Sequence, residues 1–556
     1  MWNWRRDGVR AILVLAVTFA AFFNSIGNGF VYDDIPVIQN DERLDQAWNL
    51  GGFLTDSYWD DETRSIYRPL TSWSWALDRR FFGPGPLPVH LSNVIAGSLL
   101  SVLVYAFLVL LFRRHDLAFV AALLFAIHPV HTEVMANGVG RSEIYGAFFL
   151  FLAAILHLYA HRQTGGSANT TRAFAGIAYL AAMFFKESTV VLIALLFLTD
   201  WLVLEKTTVR RLVSRWPKYL FYVVPLTVFL AMRSSVVGGR SVPVQEVMAG
   251  LDGTERFLYA SKTLLAYIGQ LAFPWTLCAE YSSYPFRLRG SIADPYVILS
   301  LIAWVVIAFL WTRLARRGLD IPRFGIAWFI LKLADRGRSV AWVILLLLIG
   351  FYGWRTVSRN ADWKSQETLW TADIETNPGS AKGWAFLADI HKDRGEFELA
   401  EEGYRHAFEL RDAVGFYPEA HNDYAALMSR KGNSAEAERH YRLVLKRRPD
   451  QFTAMVNLGA MLVVPDSTRD EAIELLTRAI AAKDDDVAPR INLTQAHDFN
   501  GRYDLALQTL EGAIRLEPTR SDLWDIKAQI LGRTGLLQEA QNATNQANQF
   551  RTRGGS

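Results

Sequence analysis

Cysteine is nearly absent: Cys278 is the one such residue in 556. That excludes a disulfide framework within the chain and any Cys-based zinc site. Excess charge is absent too. Lys and Arg number 58 against 55 Asp and Glu, a net charge of +3, so there is no basic footprint and no nucleic-acid partner is expected. Arg5, Arg6 and Arg10 precede an apolar run, but no clear small-x-small cleavage site follows it and further apolar segments come after, which reads as an uncleaved first span. About half the residues are apolar and a fifth are charged, an average that suits neither a pure membrane protein nor a soluble one. The average conceals two halves. Apolar blocks of spanning length run to about Trp354, and a polar, helix-favouring sequence follows.

Length and apolarity place spans at roughly 9–28, 91–112, 117–135, 143–160, 172–186, 188–204, 218–233 and 295–312. A further apolar region, Phe324 to Trp354, is interrupted by Asp335-Arg336-Gly337-Arg338 and supplies one crossing or two, for nine or ten in all. Basic clusters fall at every second boundary, at Arg5/Arg6/Arg10, Arg113/Arg114, Arg162/Arg172, Lys206 to Lys218 and Arg313 to Arg323. These ends are expected on the cytoplasmic side. The loop 29–90, the turns near 129–142 and 186–188 and the loop 234–294 then share the opposite face. That face gathers Asp33, Asp34, Arg68, His128, His131, Glu133, Arg141, Glu143, Lys186 and Glu187. Ionisable groups collected at one membrane face point to one polar cavity there. Both large loops are aromatic or amphipathic, with Trp48, Trp59, Trp73 and Trp75 in the first and an Arg256 to Leu271 periodicity in the second, so interfacial helices are expected in each.

In the polar half, Ala400, Ala437, Ala472, Ala506 and Ala540 recur at spacings of 37, 35, 34 and 34, the tetratricopeptide (TPR) period. The third repeat is irregular, with Pro465 inserted. The fold class expected is all-α: a multi-pass helical membrane domain over 1–355, a half-repeat linker over 356–379, a TPR α-solenoid of about five repeats over 380–550 and a tail over 551–556. Stacked repeats form a concave surface for a peptide or protein.

Paired carboxylates with cations in an outward-facing cavity suit glycosyl transfer from a lipid-linked sugar, in which a carboxylate takes a hydroxyl proton and cations or donors stabilise the departing phosphate. The same groups suit a proton-coupled transporter, and spacing alone does not choose. The ordered motifs go further: Phe30-x-Tyr32-Asp33-Asp34, Asn40, Tyr67-Arg68-Pro69-Leu70, Phe82-Gly83, His90-x-x-Asn93, His128-Pro129-x-His131-x-Glu133, Gly140-Arg141-x-Glu143, Lys186-Glu187, Pro274, Tyr281 and Trp370. Taken in order over nearly the whole chain, they resemble the transmembrane-and-TPR (TMTC-like) protein O-mannosyltransferases of the GT-C glycosyltransferase superfamily.

That resemblance implies a polyprenyl-phosphate mannose donor, protein Ser or Thr hydroxyls as acceptors, an inverting single displacement, and repeats that bind the acceptor or a partner protein on the extracytoplasmic side. It favours nine spans. It also marks a departure, because the family's outer Glu-Arg-x-x-Tyr-type motif has no counterpart between Trp328 and Arg338, where Arg336 or Arg338 is a candidate substitute. Asp33 and Asp34 are the candidates for acceptor activation, and sequence does not separate them. Arg141 is a candidate for the donor phosphate, or else an ion-pair partner of Glu133 or Glu143. Arg68 is expected to anchor its loop through carbonyls, with contact to the substrate as the alternative. Lys186 and Glu187 are expected to pair with each other. His128 and His131 with Glu133 suggest a metal, but Pro129 breaks the helix between them, so a scaffold role is preferred and no metal or cofactor is expected. The remaining alternatives are a GT-C enzyme for lipid or cell-envelope glycans and a non-enzymatic TPR scaffold. A prokaryotic plasma membrane is favoured over the endoplasmic reticulum membrane.

Overall fold

The computed structural model describes residues 4–59, 66–204, 216–238, 252–279, 294–316, 338–411 and 418–554. Arg336 and Tyr281 lie outside them, and of Arg338 only the backbone is described. Among the described residues the chain is all-helical, and it divides into two compact units, Met1–Ser380 and Ala381–Ser556.

In the first unit, α1 (Trp4–Phe22) passes into a 3₁₀ turn at Phe23–Gly27. The following loop is built from short helical turns at Ile35–Gln39, Glu42–Asp45 and Leu50–Thr55, then α2 (Pro69–Phe82). Pro69 opens α2, where its missing N–H is not needed, and Gly83 closes it at φ 93°, a backbone that only glycine adopts without strain. The long apolar helices are α3 (Pro86–Phe112), α5 (Arg141–Ala160), α6 (Gly165–Phe185) and α8 (Leu220–Val237).

The expected span over 117–135 is instead broken. α4 (His115–Ala126) is followed, after a 47° bend, by a 3₁₀ turn at Pro129–His131 and a short helix at Thr132–Met135. The cause is local: a residue before proline is pushed out of the helical region, and His128 sits at φ −67°, ψ 125°. The segment expected over 188–204 is also composite, a 3₁₀ turn at Glu187–Val191, α7 (Leu192–Thr199) and a π turn at Asp200–Leu204. Four helices among the described residues are long and apolar enough to cross a membrane, or five with the bent pair. The segment between α8 and the next long helix contributes α9 (Gly253–Ala272), opened by an Asp252/Glu255 capping box. Then come α10 (Pro295–Arg316), α11 (Arg338–Asn360) and the short α12 (Gln366–Thr376). Ile12, Ile177, Val305 and Leu347 are more than 60% exposed. With its apolar exterior and spanning helices, the unit is a membrane domain.

The second unit is five antiparallel helix pairs: α13/α14 (Ala381–Asp393, Phe397–Arg411), α15/α16 (Pro418–Arg430, Ser434–Arg447), α17/α18 (Phe452–Leu462, Arg469–Ala482), α19/α20 (Ala488–Phe499, Tyr503–Leu516) and α21/α22 (Ser521–Arg533, Leu537–Gly554). Ala400, Ala437, Ala472 and Ala506 are fully buried, letting paired helices approach closely, while Ala540 is half-buried. Four pairs turn through a positive-φ glycine, at Gly395, Gly432, Gly501 and Gly535. In the third pair, Pro465 and a 3₁₀ turn at Asp466–Thr468 replace it.

Candidate active site

The loop after α1 is held in a strained shape. Tyr32 has φ 51°, uncommon for an aromatic residue, and its ring meets Trp370 of α12 edge-on at 5.4 Å. The two following carboxylates have different surroundings. Asp34 is fully buried. It accepts backbone N–H bonds from Val31 (3.3 Å) and Gly138 (3.1 Å) at Oδ2 and from Val139 (2.8 Å) at Oδ1, fastening its loop to the turn before α5. Burial pushes its carboxyl up to about 7, against the three amides, which favour the ionised form. Asp33 is half-buried and adds its own negative charge to that site.

Next to this loop lies a chain of paired charges. Arg68 forms a bidentate pair with Glu187 at 2.8 Å for both bonds, reaches the Ser142 hydroxyl at 3.4 Å and lies over the Tyr58 ring at 5.1 Å. Lys186 pairs with Glu143, which also accepts from the Ser142 hydroxyl. The Tyr58 hydroxyl is raised well above the usual phenol range, first by burial, and it feels Arg68, Glu143, Asp33 and Asp34 together. Those four groups therefore share one electrostatic neighbourhood. The expected mutual pair of Lys186 and Glu187 is not formed. Lys186 is extended at φ −149°, ψ 118°, which turns consecutive side chains to opposite sides and sends each to a different partner.

Arg141 is 1% exposed and works as a strut. Nε donates to Asn93 at 3.0 Å, Nη1 to Ser74 at 3.3 Å, and Nη2 to Asp78, Ser92 and the Val89 carbonyl. The expected ion pair with Glu133 or Glu143 is replaced by one with Asp78 on α2. Arg141 and Glu143 are two residues apart at the start of α5, and such neighbours do not face each other on a helix. Most of its donors are thus committed to the protein's own groups.

His128 serves the bend. Its Nδ1 accepts from the Val130 N–H at 3.2 Å, so its Nε2–H donates to the Leu271 carbonyl at 3.1 Å. Together with Tyr352 on Ala272 (3.2 Å), it satisfies carbonyls at the end of α9 that have no helical partner, and Arg355 holds the Trp275 carbonyl just beyond the helix at 3.1 Å. His131 packs on Phe125 at 4.6 Å between ring centres. It borders a mainly apolar cavity of 260 Å³ between α1, α3, α4 and α5 that also reaches Glu143. Glu133 is exposed and faces a second cavity, of 370 Å³, under α9. No group of three or more His, Cys, Asp or Glu among the described residues is arranged to hold a metal. Tyr58, Asp78 and Arg359, which borders the cavity under α9, were not legible as site residues. The one available signal was Arg359-x-x-Asp362 at the end of an apolar run, an i,i+3 pair.

A helical membrane unit with an ordered polar cluster at one face, joined to a TPR array, defines the class. A family model for dolichyl-phosphate-mannose-protein mannosyltransferases matches residues 67–233, and a tetratricopeptide-repeat model matches 468–530. Protein O-mannosyl-transferase TMTC3 of Mus musculus is 23% identical over 92% of this chain and 64% of its own. Protein O-mannosyl-transferase TMTC2 of Homo sapiens is 25% identical over 71% of this chain and 62% of its own. The chain thus spans a little under two thirds of the length of these relatives. Among solved structures, MamA 41-end from Desulfovibrio magneticus RS-1 aligns at 19% identity and a TM-score of 0.30, covering 32% of this chain and 97% of that one. The chain is thus similar to the TMTC proteins in organisation: a helical membrane domain, of which residues 67–233 match the mannosyltransferase model, followed by tetratricopeptide repeats.

Proposed function

We propose that the protein transfers mannose from a polyprenyl-phosphate donor to Ser or Thr hydroxyls of extracytoplasmic proteins, in a prokaryotic plasma membrane, with its repeats binding the acceptor or a partner. The observation that carries the reading is the contrast within the acidic doublet. Asp34 spends both oxygens on backbone amides, while Asp33 stays half-buried beside the Arg68 and Glu143 neighbourhood.

In this reading Asp33 is the base. The acceptor oxygen attacks the anomeric carbon, its proton passes to the Asp33 carboxylate, and the C1–O bond breaks with its electron pair leaving on the polyprenyl phosphate. A single displacement inverts the anomeric centre. Asp34 holds the strained loop, and the Arg68–Glu187 and Lys186–Glu143 pairs hold the rim against it. The relatives' names and the mannosyltransferase model support mannose and a protein acceptor.

The test is the full chain in liposomes with polyprenyl-phosphate mannose and a Ser/Thr-rich peptide. The wild type is expected to mannosylate the peptide, and Asp33→Asn to lower the rate about 10²- to 10⁴-fold, the usual worth of a general base. Full activity in Asp33→Asn, or transfer to a glycan and not to peptide, overturns the reading.

A further inference from the structure

We propose that the 370 Å³ cavity under α9 receives the sugar-phosphate headgroup of the lipid-linked donor, with Arg359 at the phosphate and Glu133 at the sugar hydroxyls. The proposal rests on the donor class named above.

The cavity's lining mixes two chemistries. Glu133, Thr132, Thr263, Gln270 and Arg359 bring a carboxylate, hydroxyls, an amide and a guanidinium, and Val130, Ala266, Leu271 and Leu277 supply apolar surface. A volume of several hundred Å³ with a few convergent polar groups on an apolar lining is the form of a small-molecule site. The mixture fits a headgroup that is polar at the sugar and phosphate and apolar where the isoprenoid begins.

Its roof turns apolar and aromatic side chains outward. Tyr267 and Leu271 on α9, with Phe273 and Trp275 just beyond it, are each more than half exposed. Such an amphipathic helix lies at the membrane interface with its aromatic residues among the headgroups. The roof is also fixed, because His128, Tyr352 and Arg355 tie down its C-terminal carbonyls.

Arg359 is 2% exposed, and its Nη1 keeps Asp362 at 2.7 Å. Unlike Arg141, it borders a cavity, and a guanidinium has five N–H donors in a fork matched to phosphate oxygens. When the C1–O bond breaks, the charge that gathers on the phosphate falls where this guanidinium already is. The cavity is tied to the acidic loop. The helix carrying Glu133 runs into the Gly138 and Val139 amides that hold Asp34. Asn28 at the start of the loop donates to the Ala136 and Asn360 carbonyls, at 3.3 and 3.2 Å.

The experiment uses the full chain in phosphatidylcholine nanodiscs, titrated with polyprenyl-phosphate mannose, polyprenyl phosphate and soluble mannose 1-phosphate. Three variants are compared: Ala266→Phe, which fills the cavity without removing a polar group, Glu133→Gln and Arg359→Lys. Ala266→Phe is expected to raise the donor Kd at least tenfold at unchanged thermal stability. Glu133→Gln should weaken the mannosyl lipid about tenfold and leave the bare lipid phosphate unaffected, and Arg359→Lys should weaken both lipids. Binding of mannose 1-phosphate as tight as the lipid donor overturns the lipid assignment. Wild-type donor affinity in both Ala266→Phe and Glu133→Gln overturns the site, even if peptide mannosylation persists and the proposed function stands. Donor binding lost in those variants, in a wild type that transfers nothing to peptide, upholds the site and overturns the acceptor assignment.

Discussion

Arg141 in the membrane unit and Arg442 in the repeats each engage several partners, yet their settings differ. Arg141 is 1% exposed among Asp78, Asn93, Ser74, Ser92 and a carbonyl. Arg442 has 43% of its side chain exposed and pairs with Glu471 and Glu438. Water competes for the second guanidinium and not for the first. In the membrane unit, buried charged groups such as Arg141 are set among apolar clusters, and further apolar groups face outward. In the repeats, alanines and aromatic residues form the interior and charges decorate the surface. The same ion pair therefore defines structure in one unit and adds little in the other.

The sharpest way to break this contrast is to remove each guanidinium. Arg141→Met strands Asp78 in a buried site and is expected to cost about 3–5 kcal/mol, the usual effect of breaking a buried pair, seen as loss of folded protein in detergent thermal melts. Asp34→Asn is expected to cost about 1–3 kcal/mol, since an amide NH₂ would face backbone N–H groups and leave one unsatisfied. Raising its folded value to about 7 means the folded state binds more protons than the unfolded one between about 4 and 7. The Asp34 contribution is therefore full below about 4 and falls as pH rises through 7, and the melting temperature of Asp34→Asn should lack that component.

Glycines sharpen the comparison at a smaller scale. A Cβ on Gly176 would come within 2.2 Å of the Phe221 carbonyl where α6 meets α8, whereas one on Gly459 would meet the Leu476 side chain at 2.7 Å. Backbone cannot give way as a leucine can. Gly176→Ala should destabilise by about 1–3 kcal/mol and Gly459→Ala by less, both measured by chemical unfolding.

The repeats also bury titratable groups, a histidine pair among them. His421 and His440 meet Nδ1 to Nδ1 at 2.9 Å, and His421 is pushed down to about 3 by burial and by the nearby His440 and Arg439. A depressed histidine contributes fully above its unfolded value near 6.5 and loses that contribution as pH falls towards 3, at no more than about 1.4 kcal/mol per pH unit. Amide protection factors in 418–447, taken relative to the intrinsic exchange rate at each pH, should fall over that range, and His421→Phe should flatten the response. Arg442→Ala should be the mildest change, about 0–1 kcal/mol.

What the sequence revealed follows the range of each interaction. The repeats were legible because alanine spacing is a local pattern, and even the irregular third repeat was visible at Pro465. The bend after α4 was half legible: Pro129 announced a broken helix, but not that His128 would turn to hold the end of α9, 143 residues away. The partner of Arg141 was not legible, because Asp78 lies 63 residues away on an amphipathic helix and has no spacing signal. Lys186 and Glu187 were adjacent in sequence and so were paired on paper, while an extended backbone sends them apart. The doublet Asp33-Asp34 was legible as paired carboxylates, and the difference between their surroundings was not, because burial and amide bonding are properties of the folded loop.

That division is the central claim, and one paired measurement tests it: mannosyl transfer and thermal stability of Asp33→Asn and Asp34→Asn in the same liposome preparation. The account predicts that Asp33→Asn keeps the wild-type melting temperature and loses transfer, while Asp34→Asn melts earlier and loses activity in step with its folded fraction. A stable, inactive Asp34→Asn beside an active Asp33→Asn would contradict it.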